Sequence, residues 1–176
     1  MGAHARHEYI IHMLGCPSGA LLPLRHTQVS APQEDVRHLP AISHRPELPI
    51  FRGFDDVFQM PHSRHTEVHR EDILANPDLQ LIAESPDSGV SIVMARSGRE
   101  FFITGHLEYA PNTLDAEYRR DKDIRDDVDL PKHYYLNDDP ECGPLVTWRA
   151  HANLLYSNWI NYYVYQETPY DINQIR

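Results

Sequence analysis

The chain has 176 residues, of which 41% are hydrophobic and 24% are charged, so it can bury a core and does not have the composition of a disordered or fibrous protein. Its formal net charge of -10, without a stripe of Lys and Arg, argues against nucleic acid as a partner. No apolar run reaches the roughly 20 residues that cross a bilayer, and no basic leader with a cleavage site is present, which predicts a cytoplasmic protein that does not enter a membrane.

The first 46 residues have a different pattern from the rest of the chain. Prolines interrupt them at short intervals, and neither the period of a strand nor that of a helix survives between the prolines. The run EYIIHML (8–14) is the one segment that could form a short helix or strand. We therefore expect an irregular Pro-rich arm over 1–46, disordered or frameshifted, followed by one structured unit over 47–176.

Three β-rich runs follow a His-rich segment. They are LQLIAE (79–84), VSIVMA (90–95) and EFFIT (100–104), separated by the turn sequences SPDSG and RSGR. This spacing predicts a meander of three strands.

Two helices are predicted after these strands. Asn112 is placed to cap a helix over 113–124, whose first turn carries acidic residues that suit the helix dipole. In the segment 146–166, Leu155, Trp159 and Tyr163 recur at helical spacing, which predicts an amphipathic helix packed on the core. Helices that follow strands in this way indicate an α/β fold.

The segment TGHLEY (104–109) is the best candidate for a site, because it follows a predicted buried strand where the chain must turn, and α/β proteins place their sites at strand ends. His106 there can act as a general base, and Glu108 can orient its ring. A hydrogen-bonded structural histidine is the other interpretation, since so short a motif recurs by accident.

A base of this kind normally serves a nucleophile, and the chain has two cysteines. Cys16 lies among small residues in GCPSGA, but no β-rich run precedes it, so a free cysteine in an irregular arm is the alternative. Cys142 lies beside carboxylates that should raise the pKa of its thiol and lower its reactivity. Neither cysteine has zinc-like spacing or suggests a disulfide scaffold.

Two other groups of residues are candidate ligand sites. His62, His65 and His69 would align on one helix, but the preceding Pro61 and the lack of accompanying ligands favour no metal site. Arg119 and Arg120 could hold a carboxylate or phosphate, or lie on a solvated helix face.

Several collinear segments resemble one family over about residues 50–173. They are RGFDDVF (52–58), PHSRHTEV (61–68), TGHLEY (104–109), TLDAEYRRD (113–121) and WRAHANLLYSNWINYYVYQETPYD (148–171). In these segments the chain is similar to the C-terminal part of homoserine O-acetyltransferases and O-succinyltransferases of the amidotransferase-like type. The resemblance implies an α/β fold with a class I glutamine amidotransferase-like (flavodoxin-like) sheet, incomplete because its N-terminal strands are lacking.

The resemblance also implies a reaction in methionine biosynthesis. A cysteine takes an acetyl or succinyl group from acetyl-CoA or succinyl-CoA, used as co-substrate without any cofactor, and passes it to the hydroxyl of L-homoserine. His106 would be the proton acceptor and Glu108 its acid, although Leu107 stands where the family has Pro. Ser63 and Arg120 would bind the substrate. A homodimer is a further expectation.

The chain departs from the family upstream of these segments. The nucleophile motif CWAAQA and the lysine motif KLxGV do not occur, and Cys16 lies in a different context. A truncated or frameshifted reading of 1–46 is therefore expected. Two alternatives stay open: a non-catalytic remnant that binds homoserine or a partner chain, and a glutamine amidotransferase-like hydrolase.

Overall fold

One mixed β-sheet organises residues 10–13, 28–126 and 128–166, the part of the chain that the computed structural model describes. Its six strands in this part are β1 (Ile10–Met13), β2 (Gln28–Ser43), β3 (Val57–Val68), β4 (Leu79–Ser85), β5 (Gly89–Ala95) and β6 (Glu100–Ile103). They lie in the order β1-β6-β5-β4-β2-β3, with β1 parallel to β6 and the other described pairs antiparallel. Together with its helices, this sheet confirms the α/β class.

The predicted three-strand meander is confirmed in β4, β5 and β6. Leu79 pairs with Ala95 across β4 and β5, and Ile92 pairs with Ile103 across β5 and β6. The β-branched and aromatic residues of these strands suit a pleated surface buried on both faces. β6 lies between β1 and β5, so neighbouring strands on both sides fix its carboxyl end, where the chain leaves the sheet.

Two strands lie within residues 1–46, where the sequence predicted an irregular arm. β1 falls inside the run 8–14, whereas β2 crosses two prolines and has no strand period. β2 forms because it pairs with β3, and a register shift between Ser30 and Asp35 accommodates the interruption around Pro32. Long-range pairing thus overrides the local pattern here. The domain boundary at 46/47 stays a prediction.

The described helices are α1 (Arg70–Ala75), α2 (Thr113–Ile124) and α3 (Arg149–Asn158). α2 has the predicted bounds, but Asn112 makes no side-chain capping bond. α3 begins three residues later than the predicted helix and continues as a π-helical segment, Trp159–Tyr165. Within the described residues, no helix is both long and apolar enough to cross a membrane.

The core lies on the two faces of the sheet. Neighbouring strand residues alternate between the faces, so Phe101 joins the larger apolar cluster with Leu155 of α3, and Phe102 joins the smaller one with Ile73 of α1. Leu155 and Tyr163 are buried as predicted, and Trp159 is partly buried. α3 therefore covers the same face of the sheet as Phe101 and Ile103 of β6.

Asn158 fastens α3 to the segment before β3. Its buried amide donates hydrogen bonds to the carbonyl oxygens of Ile50 and Arg52, at 3.0 and 2.8 Å. We expect Asn158→Leu to lower the free energy of unfolding by about 1–3 kcal/mol, because both carbonyls lose their donor without regaining water. Urea unfolding measures this loss. Asn153→Leu, on an exposed position of the same helix, is the control, and an equal effect of both variants would contradict the role of Asn158.

Candidate active site

The loop after β6 is fixed from both sides before it reaches His106. The Thr104 hydroxyl donates to the Val90 carbonyl at 2.7 Å, and the Thr104 amide donates to the Ser91 carbonyl at 3.0 Å. On the other side, the His106 amide donates to the Pro61 carbonyl of β3 at 2.7 Å. The sequence places a histidine at the strand end, and these three bonds to β5 and β3 hold it there.

Gly105 allows β3 and this loop to approach so closely. A Cβ atom at this position would lie 2.3 Å from the Met60 sulfur and 2.8 Å from the Pro61 carbonyl oxygen. Both distances are far inside van der Waals contact, and the Pro61 oxygen belongs to the backbone that also accepts from His106. Glycine at position 105 is therefore required by the packing that presents His106.

We expect Gly105→Ala to destabilise the fold by about 1–3 kcal/mol, because the added methyl overpacks this contact. The His106 amide must also move away from Pro61 to make room. Urea unfolding of the variant beside the wild-type chain measures the effect. A midpoint equal to that of the wild-type chain would show that the two segments can separate at no cost.

His106 and Glu108 form a hydrogen-bonded pair. The Nδ1 of His106 lies 2.8 Å from Oε1 of Glu108, and because an ionised carboxylate only accepts, the ring nitrogen donates. His106 is buried, whereas the Glu108 side chain is 44% exposed. This arrangement puts the proton on Nδ1 and leaves Nε2 as the atom that can accept one. The structure thus brings the two predicted residues together in the order needed for a general base.

Tyr109 covers the face of the His106 ring. The ring centroids are 4.3 Å apart and the planes differ by 10°. The Tyr109 hydroxyl donates to Oε1 of Glu117 on α2 at 3.0 Å, and burial, with a further contribution from Glu117, raises the pKa of Tyr109 well above its ordinary value. Tyr109 therefore stays neutral and remains a hydrogen-bond donor.

Sequence reasoning did not identify Tyr109, Glu117 or Tyr156 as members of this site. From the sequence, Glu117 is one of the acidic residues near the start of the helix 113–124, and the aromatic residues of the last helix are predicted to lie in the core. Burial, followed by the negative charge of Glu108, raises the pKa of Tyr156 to about 12. The position of Tyr109 directly after the HxE motif is the signal that could have been used.

Ser63 contacts Tyr109, and Arg120 lies on the same helix as Glu117. Ser63, half-buried in β3, contributes a hydrogen bond to the Tyr109 hydroxyl. Arg120 lies three residues after Glu117 on α2, so the two share a helix face. Its guanidinium is exposed and grips Asp121 with two hydrogen bonds, at 2.7 and 2.9 Å. Ser63 is thus connected to His106 through Tyr109. Arg120 binds a carboxylate with two hydrogen bonds on an exposed part of α2.

The two cysteines differ in how far the structure describes them. Cys16 lies outside the described residues, three positions after Met13, the end of β1. Met13 pairs with Ile103, so β1 and β6 end side by side. Cys142 is exposed, with its sulfur 3.6 Å from the Asp139 carboxylate, and desolvation followed by Asp139 raises the pKa of its thiol. The direction of this pKa shift agrees with the expectation from the sequence, and the low reactivity of Cys142 stays a prediction.

The His-rich segment does not form a helix. His62 and His65 lie on β3, and His69 directly precedes α1. His62 is buried, with Nε2 3.3 Å from the Ser88 hydroxyl. Among the described residues, no group of three or more His, Cys, Asp or Glu side chains is arranged to hold a metal ion.

A family model described as homoserine O-succinyltransferase matches residues 39–170. The match begins inside β2, so it includes the end of the segment predicted as an irregular arm. A homoserine O-acetyltransferase of Bacteroides fragilis is 66% identical over 131 residues, which are 74% of this chain and 43% of that protein. A homoserine O-acetyltransferase of Bacteroides thetaiotaomicron is 67% identical over 126 residues, 72% of this chain and 41% of that protein. The chain thus spans less than half the length of these curated relatives.

Solved structures show the fold. The crystal structure of SMU.1228c matches with a TM-score of 0.52 at 14% identity, covering 74% of this chain and 53% of that chain. Identity this low bears on the fold alone. The α/β fold expected from the sequence is confirmed.

Proposed function

Because the chain belongs to the homoserine O-succinyltransferase family, we propose that it carries out O-acylation of L-homoserine, a step of methionine biosynthesis, with an acyl-CoA as donor. The observation that supports this most directly is the His106–Glu108 pair at the end of β6. A buried imidazole whose Nδ1 is held by a carboxylate presents Nε2 as a base, and acyl transfer to a hydroxyl needs such a base. A cytoplasmic location and a homodimer belong to the same proposal.

The proposed reaction has two steps. A cysteine thiol gives its proton to Nε2 of His106 and attacks the acyl carbonyl, and the coenzyme A thiolate leaves with that proton. The homoserine hydroxyl then attacks the enzyme thioester while His106 takes the hydroxyl proton, and the proton returns to the cysteine as it leaves. Glu108 stabilises the imidazolium formed in each step.

Homoserine would bind between β3 and α2. Ser63 supplies a hydroxyl on the β3 side, within hydrogen-bonding contact of Tyr109. Arg120 supplies a guanidinium on the α2 side, and its two hydrogen bonds to Asp121 have the two-pronged geometry that suits a carboxylate, which supports this proposal. We propose that the homoserine carboxylate takes over this fork from Asp121.

We propose Cys16 as the acyl carrier. It follows β1 by three residues, and β1 ends beside β6, which carries His106 three residues after its own end. The other cysteine, Cys142, has a raised thiol pKa and hence few thiolates at neutral pH. For the donor we propose acetyl-CoA, because a relative with 66% identity carries the name homoserine O-acetyltransferase.

The test is transfer from acetyl-CoA, and separately from succinyl-CoA, to homoserine, followed as O-acyl-homoserine by mass spectrometry. We expect the wild-type chain to form product with acetyl-CoA and Cys16→Ser to form none, because serine is not activated by the same imidazole to a comparable extent. Cys142→Ser is the control and should keep the wild-type rate. Product from Cys16→Ser at the wild-type rate would refute Cys16 as the carrier, and glutamine hydrolysis instead of acyl transfer would refute the activity.

A second candidate is a homoserine-binding chain without acyl transfer. It is favoured by one observation, the absence of the CWAAQA and KLxGV motifs from the sequence. Calorimetry with homoserine, combined with the mass-spectrometric product assay, separates the two candidates. Binding of homoserine without product supports the second candidate, and binding with product supports the first.

A further inference from the structure

Tyr109 is in face-to-face contact with the side chain proposed as the base. Aromatic pairs in proteins often meet edge to face, whereas the rings of Tyr109 and His106 are nearly parallel at a centroid distance of 4.3 Å. A parallel ring at this distance blocks rotation of the imidazole out of its plane. It also lies where a π-face attracts an imidazolium, the form that His106 takes after accepting a proton.

Tyr109 is itself held at several points. Its hydroxyl donates to Glu117 of α2 at 3.0 Å, and its carbonyl oxygen accepts from Nε1 of the buried Trp148 at 3.1 Å. Its amide donates to the His106 carbonyl at 3.2 Å, which closes the turn between the two residues. The ring that covers His106 is therefore fixed from α2 and from the residue directly before α3.

The pair with Glu108 does not fix the imidazole by itself. The Glu108 side chain is 44% exposed, so water competes for its oxygens, and the bond to Nδ1 leaves the imidazole free to swing about that bond. Restraint of the ring plane must come from a group packed on its face, and Tyr109 is the aromatic ring stacked there. The two neighbours thus act together: Glu108 accepts the hydrogen bond from Nδ1, and Tyr109 fixes the ring plane in which that bond forms.

We propose that Tyr109 is a positioning residue, which holds the His106 imidazole in the orientation that keeps the proton on Nδ1 and Nε2 free. The proposal rests on the proposed role of His106 as the base. The Tyr109 ring acts through His106, and its hydroxyl anchors the ring to Glu117.

The test is a long-range proton–nitrogen NMR spectrum of the histidine side chains in the full chain. The shifts of the two ring nitrogens report which nitrogen carries the proton, and His106→Gln identifies the His106 signals by their loss. In the wild-type chain we expect the proton on Nδ1, together with a nuclear Overhauser contact between the His106 and Tyr109 rings. Absence of that contact would overturn the proposal without any variant.

Three substitutions separate the ring from the hydroxyl. We expect Tyr109→Leu to raise the population of the other tautomer about three- to tenfold, because the stacked face is lost. Tyr109→Phe keeps the face and loses only the bond to Glu117, so the other tautomer should rise by no more than about twofold. Tyr165→Leu, at a tyrosine that is 73% exposed, is the matched control and should change nothing. Unchanged nitrogen shifts in a folded Tyr109→Leu variant would overturn the proposal.

Glu117→Gln provides the same test if Tyr109→Leu does not fold. It leaves the ring in place and weakens its anchor, since a neutral acceptor replaces a carboxylate, so the other tautomer should rise by a smaller factor of about two. No change would count against the anchor and the proposal. The readout needs no substrate: loss of acyl transfer with these tautomer effects intact would refute the function and leave the role of Tyr109 standing.

Discussion

Replacing His106 by Gln should lower the rate of acyl transfer to homoserine by a factor of about 10²–10⁴. Glutamine keeps a polar side chain of similar reach but cannot accept a proton from the thiol or from the hydroxyl. Both steps of the proposed reaction pass a proton through Nε2, so both slow down. Steady-state turnover with acetyl-CoA and homoserine measures the loss, and thermal unfolding checks that the variant remains folded.

Two further variants are compared with His106→Gln: Glu108→Gln, and His44→Gln as the control. Glu108→Gln keeps the hydrogen-bonding shape but no longer stabilises the imidazolium, so its loss should be smaller than that of His106→Gln. His44 lies just after β2, where it pairs with Glu84 at 2.9 Å, and its substitution should leave turnover unchanged. Turnover by His106→Gln at the wild-type rate would remove the proposed base.

Replacing Arg120 by Leu should weaken the binding of homoserine about 10- to 100-fold. A charge-assisted bond from a guanidinium to a carboxylate is worth about 1.5–3 kcal/mol, and every 1.4 kcal/mol is tenfold in affinity. Arg120 is exposed and holds the Asp121 carboxylate in two-pronged fashion, so the substrate carboxylate must displace Asp121 and the loss should lie at the lower end of this range. Isothermal titration with homoserine measures the change without requiring turnover.

Arg119→Leu is the matched control for this prediction. Arg119 precedes Arg120 on the same helix and binds Asp115, one turn earlier, at 2.9 and 3.0 Å. Exposed pairs of this kind contribute little, so the affinity should stay within about twofold of wild type. Equal losses in the two variants would indicate a general charge effect of α2, and no loss in Arg120→Leu would exclude Arg120 from the proposed homoserine site.

The meander β4–β6 and the helix α2 could be predicted from the sequence because local patterns determine them. β-rich runs separated by turn sequences become strands, and the run after Asn112 becomes a helix of the expected length. β2 could not be predicted in this way, since its prolines hide the period and its pairing with β3 is a long-range interaction. The π-helical continuation of α3 likewise depends on packing, as Tyr163 meets the ring of Phe101 at 4.9 Å.

In the candidate site, too, some residues could be predicted from the local sequence and others depend on long-range packing. His106 and Glu108 stand two residues apart at a strand end, so the sequence shows them as a unit. Glu117 joins them through a hydrogen bond from Tyr109, and this contact depends on how α2 packs beside the loop. The requirement for Gly105 is also invisible in the sequence, because it follows from the closeness of Met60 and Pro61 on a distant strand.

The most direct test of the central claim is the intact mass of the purified chain after incubation with acetyl-CoA, and separately with succinyl-CoA, followed by homoserine. We predict a mass increase of one acetyl group, located on Cys16 by peptide mapping, that disappears when homoserine is added and reappears as O-acetyl-homoserine. An unchanged mass with both donors, or an adduct on Cys142 that homoserine does not remove, would contradict acyl transfer by this chain.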